Sequence, residues 1–423
     1  MTRTDERGCR VSGADPAALA LYERALASFS SWRADAGALA AAAERASPHF
    51  VMAHVLQAYM RVCSRDPRQV QSARPIVARA VSMRATESER MHLAAISAVL
   101  GDHYELAKTR LAGLLVREPR DLLALQVAHS LDYATGTIAG MVDRVEAVLP
   151  AWSSDMPGYH AVLAMHAFAL EENGELELAE TRAHAALALN PNDARAHHVM
   201  AHVFEAGDRD AAGIAWMTEH AARWQPDTTV ATHGWWHIAL FHLARGEAAR
   251  ALALYDARVR REPSGALSDL IDATSLLWRI RLHGLDAGAR WAELAEAWDG
   301  YVDDAYCSFS DLHAMLAFVG ARDGGRARRL ELALAREQSR PTRHGATTRR
   351  LGLPACRALM AYGRGDDALA VTLLASLPTL AHRLGGSHAQ RDVLHLTLLN
   401  AIERMRRPVR RPRAAPIGAG EGA

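Results

Sequence analysis

The stretch Ala167–Asp193, AFALEENGELELAETRAHAALALNPND, decides the fold. Its first helix is expected to end at Asn173-Gly174, where glycine suits a left-handed turn. A second helix is expected from about Glu175 to Leu189. Asn190-Pro191 closes it, because proline cannot continue a helix and disfavours α geometry in the residue before it. Ala167, Ala179 and Ala186 put small side chains where paired helices must approach closely.

The pattern recurs. Gly207 follows Gly174 by 33 residues and Gly246 follows by another 39, with closing prolines at Pro226 and Pro263. Weaker copies surround Gly284 and Gly365, another runs up to Pro119, and Met52–Cys63 and Leu125–Pro150 read as degenerate ones. This is the spacing of a tetratricopeptide repeat. The expected fold is all-α: a TPR-like α-solenoid of stacked antiparallel helix pairs forming a right-handed superhelix. Roughly eight to eleven pairs would fill residues 15–405, each burying its apolar faces only by stacking on its neighbours. Residues 1–14 are expected to be flexible. Residues 406–423, rich in Arg, Pro and Gly, are expected to be a disordered tail.

Composition narrows the function. Half of the 423 residues are apolar, enough for a continuous core. A formal net charge of +1 gives no bulk attraction to nucleic acid or membrane, so neither is expected as a partner. The start lacks the apolar segment of a signal peptide, and no run of about 18 apolar residues could span a bilayer. The four cysteines form no CxxC pair, which argues against a disulfide framework or a thiolate zinc site, and Cys307 and Cys356 lack any local base. A cytoplasmic protein is the expectation. There is no P-loop, no GxGxxG after a strand and no GxSxG elbow.

Ten of the 21 histidines lie between His160 and His242, on the clearest repeats. His198, His202 and Glu205 are spaced i, i+4, i+7 and form one helical stripe. His233 and His237 repeat the i, i+4 spacing in the next unit. Counting back from Gly207 and Gly246 places His198 and His237 at one repeat position, on the first helix of each pair, which lines the inner surface. His160 and Glu171-Glu172 sit on the preceding such helix. Two imidazoles one turn apart beside a carboxylate are a common way to hold a divalent metal, and a neighbouring helix can complete the set. His160, His198, His233 and His237 are the candidate ligands, for iron, manganese or zinc. His202 and Glu205 are candidate acid/base groups, since imidazole titrates near neutrality. Trp235, Trp236 and Phe204 would wall a small organic ligand. The alternative is that these histidines pack between helices, bonded to backbone or carboxylates.

Gly385-Gly386-Ser387-His388-Ala389-Gln390-Arg391-Asp392 is a second candidate. Two glycines leading to a Ser387 cap make an anion- or oxyanion-binding turn, with His388 and Asp392 again i, i+4 and Arg391 as an anion clamp. An ordinary loop and cap would look the same. In SFSDLHAML, Asp311 and His313 are near a helix start, where capping by Ser310 or Asp311 is the simpler reading.

HAFALEENGELELAE, AHHVMAHVFE, HGWWHIALFHL and GGSHAQRD, in that order, resemble the tetratricopeptide repeat protein 38 family, also called StaR-like, from about His92 to Ile402. The resemblance lands on site residues named above, His388 and Gln390 among them, and adds Asp272, Trp278, Arg279 and Trp291. It implies an all-helical repeat fold and little defined chemistry, with some bacterial members associated with natural-product gene sets and a hydroxylase-like role suggested. The N-terminal part departs most from the pattern, and the resemblance assigns no site residue before about His92. Two functions follow as expectations. One is a buried His/Glu/Trp pocket performing metal-assisted or acid/base chemistry on a small molecule. The other is a non-enzymatic scaffold taking a peptide in the inner groove, although no lysine lies between His160 and Tyr255 to form an acidic-peptide clamp.

Overall fold

A computed structural model describes residues 2–406, and these are almost entirely helical. A short hairpin, β1 (Thr2–Thr4) paired antiparallel with β2 (Arg10–Ser12), comes first. Helices then follow two by two: α1 (Pro16–Ser30) with α2 (Ala36–Ala46), α3 (Val51–Cys63) with α4 (Pro67–Val81), α5 (Glu87–Leu100) with α6 (Tyr104–Arg117). Next come α7 (Leu122–Thr135) with α8 (Ile138–Val148), α9 (Tyr159–Glu172) with α10 (Leu176–Leu189), and α11 (Ala194–Ala206) with α12 (Asp210–Glu219). After the short α13 (Ala221–Trp224) come α14 (Ala231–Ala244) with α15 (Ala248–Leu254), α16 (Leu267–Leu282) with α17 (Arg290–Trp298), and α18 (Ser308–Gly320) with α19 (Gly324–Glu337). The short α20 (Arg343–Thr347) precedes α21 (Leu353–Gly363) with α22 (Asp367–Leu374). Then come α23 (Leu377–Leu380), α24 (His388–Arg391) and α25 (Val393–Arg406). Of the tail expected from Arg406, residues 407–423 lie outside the described residues.

Each pair turns through one residue in the left-handed region: Trp32, Arg65, Asp102, Gly136, Gly174, Asp208, Gly246, Gly284, Arg322 and Gly365. Half are glycine, for which that conformation has no steric cost. The first helices of successive pairs pack on one another, α9 on α11 and α14 on α16 among them. Their middles are accordingly buried all round, and α9 shows almost no solvent face from Ala161 to Glu171. Aspartates start several of these helices: Asp121 accepts from Ala124 N–H at 2.8 Å, and Asp193 from Arg195 N–H at 3.0 Å. No helix among the described residues is long and apolar enough to cross a membrane.

Two expectations are corrected. Residues 2–14 are not a loose lead: the hairpin is tied down by Arg7, which sits buried between Asp5 at 3.0 Å and Glu23 at 2.6 Å. Ser12 N–H donates to Glu89 Oε1 at 2.7 Å, and Val11 is buried. The charges that made this segment look solvated are spent on one another. The pairs also touch far more than their neighbours. Ala34 N–H donates to Asp227 O at 2.8 Å, and Arg68 Nη2 to Gly300 O at 2.6 Å. His344 N–H reaches Asp102 Oδ2 at 2.9 Å, and Tyr133 OH reaches Gln390 Oε1 at 3.1 Å. The turns of the early pairs therefore meet residues 227–229, 300–307, 343–344 and 382–390 in succession, and the curve fills its own interior. The last helix, α25, packs on α16 and α22, where Trp278 Nε1 donates to Thr397 Oγ1 at 2.9 Å.

This closure is testable at Gly136, where an added Cβ would lie 2.0 Å from the carbonyl oxygen of His382. Gly174 has a similar positive φ with nothing within 4 Å. Gly174→Ala should cost only the backbone strain, about 1 kcal/mol. Gly136→Ala should lower the thermal midpoint clearly further, and equal losses would mean the contact with His382 is not held in solution.

Candidate metal centre

Four of the helices that follow one another on the inside each bring one or two polar side chains to a common space. The helix α11 presents His198 and His202 one turn apart, and α14 presents His233 and His237. Each of these four histidines offers a nitrogen within 4.8 Å of the others. His198 Nε2 lies 3.0 Å from His202 Nε2 and 3.0 Å from His233 Nε2. The His237 ring centroid is 4.6 Å from that of His202 and 4.8 Å from that of His233. His198, His202 and His237 are buried, and His233 is half-buried.

The far nitrogens face carboxylates. Both oxygens of Asp272, on α16, lie 3.0 Å from His233 Nδ1. Glu205 Oε2 is 3.3 Å from His237 Nδ1, and Glu171 Oε2, on α9, is 3.6 Å from His202 Nδ1. Asp272 accepts from His233 Nδ1–H and so leaves the Nε2 lone pair of that ring facing inward, whereas Glu205 and Glu171 stand near His237 and His202 without a hydrogen bond. Burial, reinforced by the neighbouring histidines, pushes the pKa of His198, His202 and His237 well below the usual imidazole range, so these rings are neutral. Three neutral imidazoles beside His233, whose tautomer Asp272 sets, fit the requirements of a metal-binding histidine set. The surrounding wall is aromatic. Trp236 stacks on His233 at 5.0 Å and meets His237 edge-on at 4.9 Å, while Phe168 packs against His198 and His202.

A second group, Glu171, Glu172, His202 and His388, shares His202 with the first. Glu172 is already committed: Oε1 accepts from His388 N–H at 2.8 Å and Oε2 pairs with Arg391 at 3.1 Å. Burial would raise its carboxyl, but His388 and Arg391 outweigh that and hold it below the usual range. Glu171 has no such donors, and burial pushes it up to about 8. Burial opposes charge on His388 too, but its contacts with Glu172 and Glu171 raise it to about 9. The group is an internally compensated set of a cationic imidazole, one carboxylate and one neutral acid.

Several predicted site residues fall elsewhere. His160 does not join the cluster: its Nδ1 is 2.6 Å from Asp193, the residue that caps α11, and it serves as an inter-pair tie. Trp235 points away from the histidines, against Trp224 and under Arg258, whereas its neighbour Trp236 is in the wall. The Gly385–Asp392 turn is not an open anion cradle. Its helix is four residues long, and the N–H groups of Ser387 and His388 go to Gln390 Oε1 and Glu172. Arg391 pairs with Glu172 and the Gly386 carbonyl, and Asp392 pairs with Arg279, so neither is free to clamp a ligand. His313 bonds within α18 to Phe309 O at 2.7 Å, and neither Ser310 nor Asp311 caps that helix. The repeat register also shifts by one: Gly207 has an ordinary φ of −92° and Asp208 makes the turn. His198 and His237 are thus not repeat equivalents, and the four rings meet diagonally across two helices.

The N-terminal pairs, to which the sequence assigned no site role, supply part of the surroundings. A cavity of about 250 Å³ reaches the cluster at His198, His233 and Asp272. Trp32, Cys63, Ser64 and Arg65, from the first two turns, line it alongside Tyr133, Ile271, Phe309 and Gln390. A signal was present: Trp32 and Arg65 are large side chains at turn positions that elsewhere hold glycine or a smaller polar residue, Arg322 excepted. No family model matches the chain.

The adjacent glutamates give a contrasting pair of variants. Glu171→Gln replaces a group that is mostly neutral at pH 7 and should change stability little. Glu172→Gln removes a carboxylate holding two charged partners and should cost about 1.5–3 kcal/mol. Equal thermal midpoints for the two variants at pH 7 would contradict these assignments.

Proposed function

We propose that this is a TPR-like helical-repeat protein of the tetratricopeptide repeat protein 38 type that holds one divalent transition metal on His198, His202, His233 and His237 and brings it to bear on a small organic molecule in the adjoining cavity. The observation that carries the proposal is the arrangement at His198. Its Nε2 can carry at most one proton, yet faces two other Nε2 atoms at 3.0 Å each, one of them a lone pair fixed by Asp272. One hydrogen cannot serve both with good geometry, whereas a cation among the lone pairs serves all of them. An all-imidazole set suits zinc, copper, iron or nickel better than manganese or magnesium. Asp272, Glu205 and Glu171 would offset the ion's charge from the outer side.

When bound, such an ion supplies a Lewis acid at the closed end of the cavity. Asp272 holds the His233 tautomer, and Glu205 stands 3.3 Å from His237 Nδ1. His202 is then a ligand rather than the acid/base group, and the His388–Glu171 pair behind it is the place where a proton can be kept. The interaction-scaffold alternative has less support, because the inner surface a peptide would use is occupied by contacts between the early turns and the later helices.

Metal analysis of protein purified without chelator tests the proposal: about one equivalent is expected, and less than a tenth of that in the His198→Ala, His237→Ala double variant. Asp272→Asn should keep the fold and weaken metal affinity about 10–100-fold. A wild-type protein that takes up none of zinc, iron, copper or nickel would end the metal reading.

A further inference from the structure

The cavity beside the histidine cluster has a cation at its side that the chain does not neutralise with a carboxylate. Arg65 sits at the left-handed turn after α3, with φ of 58°. Its Nη2 donates to Cys307 Sγ at 2.9 Å and to Leu384 O at 3.3 Å, and the guanidinium lies 5.4 Å from the Phe309 ring centre. Among the described residues no Asp or Glu forms an ion pair with it, and Nε and Nη1 have no protein acceptor. The aromatic walls are Trp32, Tyr133 and Phe309, with the apolar Ile271 and Leu267, and the two carboxylates of the lining are Asp269 and Asp272, the latter bonded to His233. The opening runs past the exposed Ser64, Thr229 and Ser268.

From this geometry we infer that the cavity binds a planar aromatic acid, its carboxylate on Arg65 and its ring between Trp32, Tyr133 and Phe309, with a ring edge turned to His198 and His233. The inference rests on the reading of the histidine cluster as the reactive end of the same cavity. Three physical points select this class. A half-buried guanidinium with free N–H donors favours a carboxylate, which its Nε–H or Nη1–H can bind by a charge-assisted hydrogen bond. Aromatic walls favour a flat ring by offset or edge-on contact. A cavity of about 250 Å³ has room for a compact ligand of one or two fused rings. The thiol of Cys307 and the carbonyl of Leu384 engage Nη2 of Arg65, so a ligand carboxylate can be added at Nε or Nη1, through one charge-assisted hydrogen bond, without displacing either.

Calorimetric titration with 2-naphthoate, and with 2-naphthamide as its neutral isostere, tests the inference. Both are run on protein as purified and on protein treated with a chelator. The expected result is saturable binding of naphthoate, at least tenfold tighter than the amide, with the preference abolished in Arg65→Gly. Glycine suits the positive φ at this turn, so the variant should fold, and unchanged circular dichroism would verify it. Phe309→Leu should weaken both ligands together. Equal affinity for acid and amide, an Arg65→Gly variant that keeps the preference, or no binding of either compound to wild type would each overturn the inference. The preference should persist after chelation, since it comes from the guanidinium. A failure of the metal reading would show in metal content instead and leave this titration unchanged.

Discussion

Three buried imidazoles and a half-buried fourth, with His198 Nε2 at 3.0 Å from two of the others, constrain everything around them. A buried donor or acceptor without a partner costs about 1–3 kcal/mol. Here Asp272 takes the outer N–H of His233, and His198 Nε2 meets the Nε2 of both His233 and His202 at 3.0 Å, so one proton cannot satisfy both contacts. An arrangement that is costly when empty and satisfied by one cation is what a metal site looks like before loading. Packing alone would have been served by leucine at the same positions.

The rest of the architecture holds those rings in place. The cluster needs α9, α11, α14 and α16 side by side, which a stack of helix pairs delivers by construction. It also needs a cover. The contacts from Trp32, Arg65 and Tyr133 to residues 229, 307 and 390 supply one, together with a cavity whose far walls come from opposite ends of the chain. In an open stack, His198 would face solvent; closure buries it, and burial holds its pKa well below the usual imidazole range.

Much of this was legible in the sequence. The Gly, Ala and Pro spacing around Gly174 gave the helix pairs, and the i, i+4 histidines on two successive inner helices gave the heart of the site. The parts that were not legible depend on distance along the chain. That Asp272 orients His233, that Glu171 backs His202, and that Asp193 takes His160 out of contention all require knowing which helix lies beside which and at what height. The turn glycine at 207 misled by one residue because a polar residue, Asp208, can also adopt the left-handed conformation. The GGSHAQRD segment has the composition of an anion-binding turn, but its donors are consumed by Gln390 and Glu172, partners that local spacing could not reveal. The hairpin at the start reads as solvated charge because the partners of Arg7 and Ser12 include Glu23 and Glu89, on later helices.

The most direct measurement is an anomalous difference map from crystals of the purified protein, recorded on either side of the iron, copper and zinc absorption edges. The account predicts one peak with Nε2 of His198, His202, His233 and His237 about 2.0–2.1 Å away. A peak seated between Glu171, Glu172 and His388, or no peak in a protein that has been offered all three metals, would contradict it.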